Sequence, residues 1–232
     1  MSAAVSRAWR IGPTSRCLGR PEGGGIISKT IQGPDGQPRC AWCGGAGDML
    51  EYHDSEWGFP VRDDHRLFEK LSLEGFQAGL SWRTILAKRE NFRAAFHGFD
   101  FDRVAGFTQR DVERLLEDAG IVRHRGKVEA VINNAQRARE LVGREGSLAS
   151  FLWRYEPDES RVPEPQTATT SAESVALSRD LKKLGWKFVG PTTMYAFMQA
   201  MGLINDHAEE CVVRSRVALA RDQFRRPDAG RR

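Results

Sequence analysis

Apolar residues recur at intervals of three and four positions from about residue 63 onward, and strict alternation of apolar and polar residues is absent. Intervals of three and four place side chains on one face of an α-helix, whereas alternation is typical of a β-strand. The pattern therefore predicts an all-α fold in a single globular domain.

Residues that can cap a helix precede three of these periodic segments. Asp64, Ser81 and Thr108 each offer a side-chain oxygen to the free backbone amides of a first helical turn. The apolar positions of the three predicted helices are, in turn, Leu67, Phe68 and Leu71; Ile85, Leu86 and Phe92; and Val112, Leu115 and Leu116.

A longer apolar stripe predicts one more helix, with a fully buried face. Beyond it, prolines interrupt a polar loop, and the segments 176–184, 192–201 and 206 to about 216 are predicted to be the closing helices. The members of the stripe are Val128, Val131, Ile132, Ala135, Ala138 and Leu141.

The composition predicts one core in a soluble protein. The 232 residues are 40% hydrophobic and 28% charged, which allows one substantial buried core. There is no signal-peptide core and no run of about eighteen apolar residues. Four cysteines are too few for a disulfide scaffold, so we expect a reducing, cytoplasmic environment.

The two ends of the chain differ from the middle. Residues 1–38 are rich in Gly, Ser, Arg and Pro without an apolar period, which predicts a disordered extension, and residues 217–232 are predicted to be a flexible basic tail. The domain is expected to span residues 39–216. The formal net charge of +4 conceals an acidic middle, because both ends are basic. Any contact between the domain and DNA therefore needs a local basic patch.

One such patch is predicted at residues 119–127, which read AGIVRHRGK. The segment lies between two predicted helices, and Gly126 falls where the second one begins. Backbone amides at that point, together with Arg123, Arg125 and Lys127, can hold a DNA phosphate at the positive end of the helix. An ordinary turn with a solvated charged face is the alternative.

Two pairs of potential metal ligands lie far apart in the sequence, namely Cys40 with His53 and His207 with Cys211. Residues four apart on a helix share one face, so His207 and Cys211 can hold one ion jointly. Two thiolates and two imidazoles form a closed tetrahedral zinc site, which would be structural and would join the N- and C-terminal segments. A disulfide or merely buried thiols are alternatives, and Cys43 competes with Cys40 as a ligand.

Aromatic residues and one carboxylate are concentrated between residues 42 and 82. The aromatics are Trp42, Tyr52, Trp57 and Trp82, and the carboxylate is Glu74. Aromatic residues at this density usually belong to a core, but an acid between apolar runs is rarely buried without a partner. A negative group beside aromatic faces suits a flat, cationic ligand.

Several segments, in the same order along the chain, closely resemble the DNA-3-methyladenine glycosylase I family of the helix-hairpin-helix DNA glycosylase superfamily. The likeness covers about residues 39 to 213. Its segments are Cys40-Ala41-Trp42, Tyr52-His53-Asp54 with Glu56-Trp57-Gly58, Leu73-Glu74-Gly75, Gln77 through Trp82, Gly185 through Gly190, and Asn205-Asp206-His207.

The resemblance implies a helix-hairpin-helix fold in which residues 119–127 are the hairpin. It implies that Trp42, Tyr52 and Trp82 line the pocket for an extruded base, with Glu74 hydrogen bonded to the modified adenine, and we expect Trp57 to take part in base binding as well. It also implies hydrolytic removal of 3-methyladenine from alkylated double-stranded DNA, and we expect a monomer in the bacterial cytosol. One structural Zn²⁺ per chain is implied on Cys40, His53, His207 and Cys211.

Further details of the reaction are expectations from the residues. Gly79 and Leu80 are expected to enter the space that the base vacates, with a core leucine as the alternative. Glu74 is expected to stabilise charge on the sugar, and Asp206 is the other candidate carboxylate for this role. The favoured interpretation of Asp206 is nevertheless a helix cap or a partner of His207. The pocket segments contain no lysine for a Schiff base, so strand cleavage is not expected. The competing class is a DNA-binding module without catalysis, which would have no use for Glu74.

Overall fold

A computed structural model describes residues 28–227, so the disorder predicted for residues 1–27 and the flexibility predicted for 228–232 lie outside the described residues. Within that range the fold is helical, as predicted. The helices are α1 Gly47–Ser55, α2 Asp64–Gln77, α3 Trp82–Ala87, α4 Arg89–Ala95, α5 Phe101–Val104, α6 Gln109–Glu117, α7 Arg125–Glu145, α8 Leu148–Leu152, α9 Ala172–Lys183, α10 Pro191–Ala200 and α11 Val212–Gln223.

A short β-hairpin precedes the helices. Strands β1 (Thr30–Gln32) and β2 (Pro38–Cys40) pair antiparallel, with Thr30 opposite Cys40. The disorder predicted for residues 1–38 is therefore wrong for this stretch, because backbone pairing and an ion pair from the buried Arg39 to Asp54 (3.1 Å) hold it. Strand β2 contacts α11, so the hairpin already joins the two ends of the described chain.

Helix α2 is the central element, and it packs against α7, α8 and α10. Its N-cap is Asp63, so the predicted cap, Asp64, was wrong by one residue. The Asp64 carboxylate instead accepts hydrogen bonds from two backbone amides at the start of α8, at 2.9 and 2.8 Å. Neighbours on several sides bury the stretch from Leu71 to Phe76, which includes Glu74.

The helix predicted after Ser81 is in fact two helices, α3 and α4. Ser81 caps α3 as predicted, but the two helices separate at Lys88. The Lys88 ammonium donates to the carbonyls of Ala119 and Gly120, at 3.0 and 3.2 Å. The interruption thereby attaches this pair of helices to the turn that follows α6.

Helices α6 and α7 confirm two predictions. Thr108 caps α6 in a reciprocal capping box with Asp111, and the apolar stripe of α7 from Val128 to Leu141 is buried. A short turn connects the two helices. It ends where the His124 ring accepts a hydrogen bond from the Lys127 amide.

The start of the last predicted helix is wrong. Residues 206–211 form a loop, and α11 begins only after Cys211. The guanidinium of Arg214 donates to the carbonyls of Asn205 and His207, so these carbonyls are not free to accept bonds from helical amides. His207 and Cys211 therefore approach each other through a loop rather than on one face of a helix.

Helix α11 also extends beyond the predicted end of the domain. Its side chains Val217 and Arg221 are buried, and Arg221 pairs with Glu156 at 2.9 Å. Residues 217–223 are thus helix instead of a flexible tail, since packing orders them. Among the described residues, no helix has both the length and the apolar character that crossing a membrane requires.

Candidate active site and metal centre

The predicted aromatics and carboxylate converge on one cavity of about 360 Å³. Its first wall contains Trp42, Tyr52, Trp57, Glu74 and Trp82, so the structure brings together all five residues that were singled out for a pocket. The rest of the lining, here called the second wall, was not predicted except for Asp206, which was a candidate carboxylate. The second wall contains Gln166, Ala168, Thr169, Thr192, Tyr195, Ala196, Gln199 and Asp206.

The aromatic wall is held by contacts between rings. Trp42 meets Trp57 at 4.8 Å between centroids and 70° between planes, an edge-to-face arrangement that aromatic rings favour. Tyr52 lies 5.2 Å from Trp82, with the two rings tilted at 43°. Tyr52 and Trp57 are buried, whereas Trp42 and Trp82 are only partly so. The rings therefore belong to the core and line the cavity at the same time.

Glu74 has a buried partner in Lys70, one helical turn earlier on α2. The Lys70 ammonium lies 2.9 Å from Glu74 Oε1, donates to the Tyr52 hydroxyl at 2.7 Å and lies 3.3 Å from the centre of a Trp82 ring. Burial lowers the pKa of Lys70, and Glu74 opposes that shift.

Lys70 was not among the predicted site residues. The segments assigned to the pocket contain no lysine, but the cavity is also lined by Lys70, which lies between two of the segments that carry the family resemblance. Its position four residues before Glu74, within an otherwise apolar helical stretch, was the pattern that could have identified it.

Asp206 lies in the pocket wall, and the interpretation of this residue as a helix cap or a partner of His207 was wrong. Its carboxylate accepts from the Gln166 amide at 2.9 Å and from Gln199 Nε2 at 2.6 Å. The oxygen that contacts His207 Nδ1, at 3.1 Å, belongs to Asn205. Burial raises the pKa of Asp206, and its hydrogen bonds oppose the shift.

Within the described part of the chain, three buried polar atoms of the cavity residues have no hydrogen-bond partner. They are Trp82 Nε1, Gln166 Nε2 and the Tyr195 hydroxyl. Burial raises the pKa of Tyr195 to about 12, so its hydroxyl keeps a proton to donate. A buried polar group without a partner is costly. These atoms are therefore suited to hydrogen bond with a polar ligand in the cavity.

Three of the four predicted metal ligands form one buried cluster. Potential ligand atoms of Cys40, His53 and Cys211 all lie within 4.8 Å of one another, and Cys211 Sγ is 3.5 Å from His53 Nε2. Cys40 ends β2, His53 lies on α1 and Cys211 caps α11, so the cluster joins three distant segments. Cys43 is also buried but is not part of the cluster.

His207, the fourth predicted ligand, lies beside the cluster with a bare ring nitrogen. Its ring centre is 4.9 Å from that of His53, it is fully buried, and its Nε2 has no hydrogen-bond partner among residues 28–227. Burial, with the neighbouring His53, lowers the pKa of His207 to about 4, so the ring is neutral. The Nδ1 atoms of the two rings face oxygens of Asn205 and Asp54, which orients both rings.

The pKa values of the two clustered thiols, Cys40 and Cys211, are shifted in opposite directions. The hydrogen bond from the Cys40 thiol, with a smaller contribution from His53, holds the pKa of the Cys211 thiol far below its ordinary value. The same hydrogen bond, together with burial, raises the pKa of Cys40. All three cysteines of the described chain are free, so the alternative of a disulfide between them is not supported.

The buried cluster and the pocket are in contact through shared aromatic residues. The ring of Trp57 lies 4.6 Å from that of His207 and lines the cavity on its other side. Trp42 likewise contacts both His53, at 5.3 Å, and Trp57. A shift of the cluster would therefore be transmitted directly to the aromatic side of the pocket.

Gly79 and Leu80 lie in the turn directly after α2. Gly79 has a φ of 80°, a conformation that favours glycine. Leu80 is 42% exposed, so the alternative of a core leucine is not supported. An apolar side chain is thus presented to solvent six residues beyond the pocket residue Glu74.

The phosphate contact predicted for Lys127 is wrong. Arg123 and Arg125, in contrast, are exposed, as a phosphate contact requires. The Lys127 side chain is buried, and its ammonium donates to the carbonyls of Phe76 and Ala78 at 2.9 and 2.6 Å. It is bonded to the end of α2 and is not free to contact phosphate. Gly126 lies in the first turn of α7, where the unpaired backbone amides can donate hydrogen bonds to an anion.

Comparisons with known proteins agree with this arrangement. The methyladenine glycosylase family matches residues 42–215. DNA-3-methyladenine glycosylase 1 of Escherichia coli is 48% identical over 177 residues, which are 75% of this chain and 95% of the relative. The DNA-3-methyladenine glycosylase of Haemophilus influenzae is 45% identical, over 75% of this chain and 96% of its own length.

A solved structure gives the same result for the fold. It shows 3-methyladenine DNA glycosylase I from Staphylococcus aureus and the structural basis of its 3-methyladenine recognition. It matches 74% of this chain and 95% of its own, with a TM-score of 0.68 and 38% sequence identity. On both sequence and structure, the chain belongs to the methyladenine glycosylase family.

Proposed function

We propose that this protein is a monofunctional DNA glycosylase that extrudes 3-methyladenine from alkylated double-stranded DNA and hydrolyses its bond to deoxyribose, leaving an abasic site. The observation that carries the proposal is the buried Glu74 carboxylate in a cavity walled by aromatic rings. The related enzymes act on or recognise the same base, as their names state. The protein is proposed to act as a monomer in the bacterial cytosol.

The pocket suits a base that is both flat and positively charged. Methylation at N3 gives the adenine ring a positive charge, and the rings of Tyr52, Trp42 and Trp82 offer it negative faces. Glu74 accepts hydrogen bonds from the base edge, and Trp57 supports the wall. The free polar atoms of Gln166 and Tyr195 can complete recognition of the edge. Neutral adenine gains less from these contacts, which gives selectivity for damage.

The chemical step needs little help from a proton donor. When the bond between C1′ and the base breaks, its electron pair goes to the base and cancels the positive charge. Water adds to C1′ and loses a proton. Glu74 is proposed to stabilise the charge that develops on the sugar. Asp206, in the second wall of the cavity, is the alternative carboxylate.

The monofunctional assignment has a new physical basis, because Lys70 does lie in the pocket. Its ammonium is engaged by Glu74, the Tyr52 hydroxyl and the Trp82 ring. A Schiff base requires a neutral amine that reaches C1′ of the sugar, whereas the contacts of Lys70 are all with groups that are proposed to bind the base. We therefore assign Lys70 no role as a nucleophile.

Contact with the duplex is proposed on one side of the pocket. Leu80, with Gly79, enters the space vacated by the base and offsets part of the cost of extrusion, which is a few kcal/mol. The turn between α6 and α7 acts as the hairpin of a helix-hairpin-helix unit, where Arg123, Arg125 and the amide of Gly126 contact phosphates. Lys127 fixes the end of α2, and thereby Leu80, against this hairpin.

The buried cluster is proposed to hold one structural Zn²⁺. Two thiols and two imidazoles are a donor set that zinc prefers, and the bare, buried Nε2 of His207 is an observation that a metal would explain. Cys40, His53, His207 and Cys211 would hold the ion. Four protein ligands leave no open position, so the metal would supply cross-linking rather than chemistry.

The test is release of free base from methylated duplex DNA. The purified full chain is incubated with DNA treated with a methylating agent, and the released bases are separated by chromatography. We expect 3-methyladenine, together with abasic sites that remain uncleaved until alkali is added. Duplex binding without base release would instead identify a DNA-binding module.

A further inference from the structure

Lys70 gives the pocket a positive charge of its own. Its ammonium contacts the Glu74 carboxylate, the Tyr52 hydroxyl and the face of Trp82, and only 5% of the residue is exposed. A carboxylate beside aromatic faces is the combination that suits a cation. A side chain of the protein therefore occupies the position that the proposed function assigns to the cationic base.

A cationic base at Glu74 would bring a second positive charge to the same carboxylate. Like charges a few ångströms apart in a buried site disfavour each other strongly. Lysine can resolve this conflict by losing its proton, and burial already lowers the pKa of Lys70. An arginine in the same place could not, because its guanidinium stays charged.

We propose that Lys70 exchanges its charge for that of the base, and thereby couples binding of the cationic base and release of the neutral product to the loss and gain of one proton. The cationic base takes the ammonium's place at Glu74, and Lys70 releases one proton to solvent and stays as a neutral amine. This inference rests on the proposed function. After hydrolysis the base has lost its positive charge, so Lys70 can take up a proton and pair with Glu74 again, which favours release of the neutral product.

Other charged groups around Lys70 leave this exchange to the Lys70–Glu74 pair. Glu56, just after α1, and Arg89 of α4 face the site, but they form a two-pronged ion pair at 2.7 and 2.8 Å. Their charges therefore largely cancel at Lys70. Asp206 belongs to the second wall of the cavity, and its carboxylate already accepts hydrogen bonds from Gln166 and Gln199.

Two variants separate charge from shape at this position. Lys70→Met keeps the length of the side chain without a charge, and Lys70→Arg keeps a charge that cannot be lost. The cationic probe is 3,9-dimethyladeninium, in which a methyl group replaces the sugar, and 9-methyladenine is its neutral match. Calorimetry in two buffers of different ionisation enthalpy counts the protons released on binding. Thermal unfolding and metal content show that each variant is folded.

We expect the wild type to release about one proton when it binds the cation and none when it binds 9-methyladenine. Lys70→Met should release none and bind the cation about tenfold more tightly or better, since the competing charge is gone. Lys70→Arg should bind it at least about tenfold more weakly. In excision assays, kcat/KM of the wild type should rise with pH as Lys70 loses its proton more easily, and Lys70→Met should flatten that rise.

Equal proton release by the wild type and Lys70→Met, or the same pH profile for both, would overturn the inference while leaving the glycosylase function intact. A folded Lys70→Arg that binds the cation as well as the wild type would also overturn it. Failure of the wild type itself to release 3-methyladenine from methylated DNA would instead contradict the proposed function, and the inference with it.

Discussion

The Glu74 carboxylate is paired with an ammonium, and this pairing determines what its removal does. Glu74 and Lys70 are both about 5% exposed and 2.9 Å apart. Removing one member of a buried pair leaves the other charge without compensation, which is strongly destabilising unless that group changes its protonation. A substitution at Glu74 therefore affects both the reaction and the stability of the pocket wall, and an experiment must separate the two.

Glu74→Gln is expected to lower single-turnover excision of 3-methyladenine by roughly tenfold to a thousandfold. A charge-assisted hydrogen bond contributes about 1.5 to 3 kcal/mol, and stabilisation of the sugar cation adds to the loss. Loss should be incomplete, because a cationic base leaves readily. Rapid-mixing assays on a methylated oligonucleotide measure the rate.

The double variant Glu74→Gln, Lys70→Met is the control for this prediction. It removes both charges, so thermal stability should exceed that of Glu74→Gln alone, while excision should stay low. Near-normal excision by a folded Glu74→Gln would transfer the role of the stabilising carboxylate to Asp206.

Single residues differed in how well the sequence predicted them. Glu74 and the ligands Cys40, His53 and Cys211 are conspicuous, because acids and metal-binding groups within apolar surroundings need partners. The second wall of the pocket combines Gln166, Ala168 and Thr169, from a polar loop of ordinary composition, with Thr192, Tyr195, Ala196 and Gln199 of α10. Only the folded chain brings the loop and the helix to the cavity.

At the scale of elements, α2 links the pocket to the proposed DNA surface. It contains Lys70 and Glu74 in its buried second half, and it ends at the turn of Gly79 and Leu80. Lys127, from the start of α7, bonds to the last carbonyls of that helix. The proposed hairpin and the exposed leucine are thus held in a fixed relation by one buried side chain.

The basic residues of the proposed hairpin therefore have two different roles. Arg123 and Arg125 are proposed to contact phosphates, whereas Lys127 holds the end of α2. Replacing Arg123 and Arg125 together by Ala should weaken binding to all duplexes alike and reduce the slope of log K against log salt by about one unit for each lost phosphate contact. Lys127→Ala should lower thermal stability and excision with the salt slope unchanged, because its ammonium is bonded to protein carbonyls. Fluorescence anisotropy over a salt series measures the slopes.

Arg139 provides the matched control, since it is exposed in the second half of the same helix α7. Arg139→Ala should leave affinity and slope unchanged. A wild-type slope in the Arg123, Arg125 variant would show that this patch only faces solvent.

Helix positions followed from the sequence where one apolar face was sufficient, as in α7. The sequence did not predict helix positions correctly where side chains form hydrogen bonds with backbone carbonyls. Arg214 bonds to the carbonyls before α11, and Lys88 marks the break between α3 and α4. These are contacts between distant or specifically oriented groups, and a local periodicity of three and four has no information about them.

At the scale of the molecule, the buried cluster links both ends of the domain behind the pocket. The rings of His207 and Trp57 are 4.6 Å apart, and Trp57 lines the cavity. The proposed metal would therefore stabilise the fold and the aromatic wall together. Both effects should be lost together when a ligand is removed.

His207→Ala and Cys211→Ala are each expected to lower the zinc content from about one ion per chain and to lower the free energy of unfolding, because metal binding is coupled to folding. Cys43→Ala is the matched control, since this thiol is buried but outside the cluster. It should retain the metal. Elemental analysis and chemical denaturation measure both quantities.

Full zinc occupancy in His207→Ala would reduce the proposed site to the three clustered residues. Full occupancy in Cys211→Ala would contradict the site altogether. Zinc lost from Cys43→Ala in place of Cys211→Ala would move the second thiolate ligand to Cys43.

The burial of the thiols has a consequence for the conditions in which such an enzyme works. Methylating agents that damage DNA also react with exposed cysteine sulfur, since the thiolate is a strong nucleophile. Cys40 and Cys43 are fully enclosed, and Cys211 is 4% exposed. The packing that encloses these three thiols therefore also shields them from the reagents that create the enzyme's substrate, so we expect them to stay unmodified while the damage is being made.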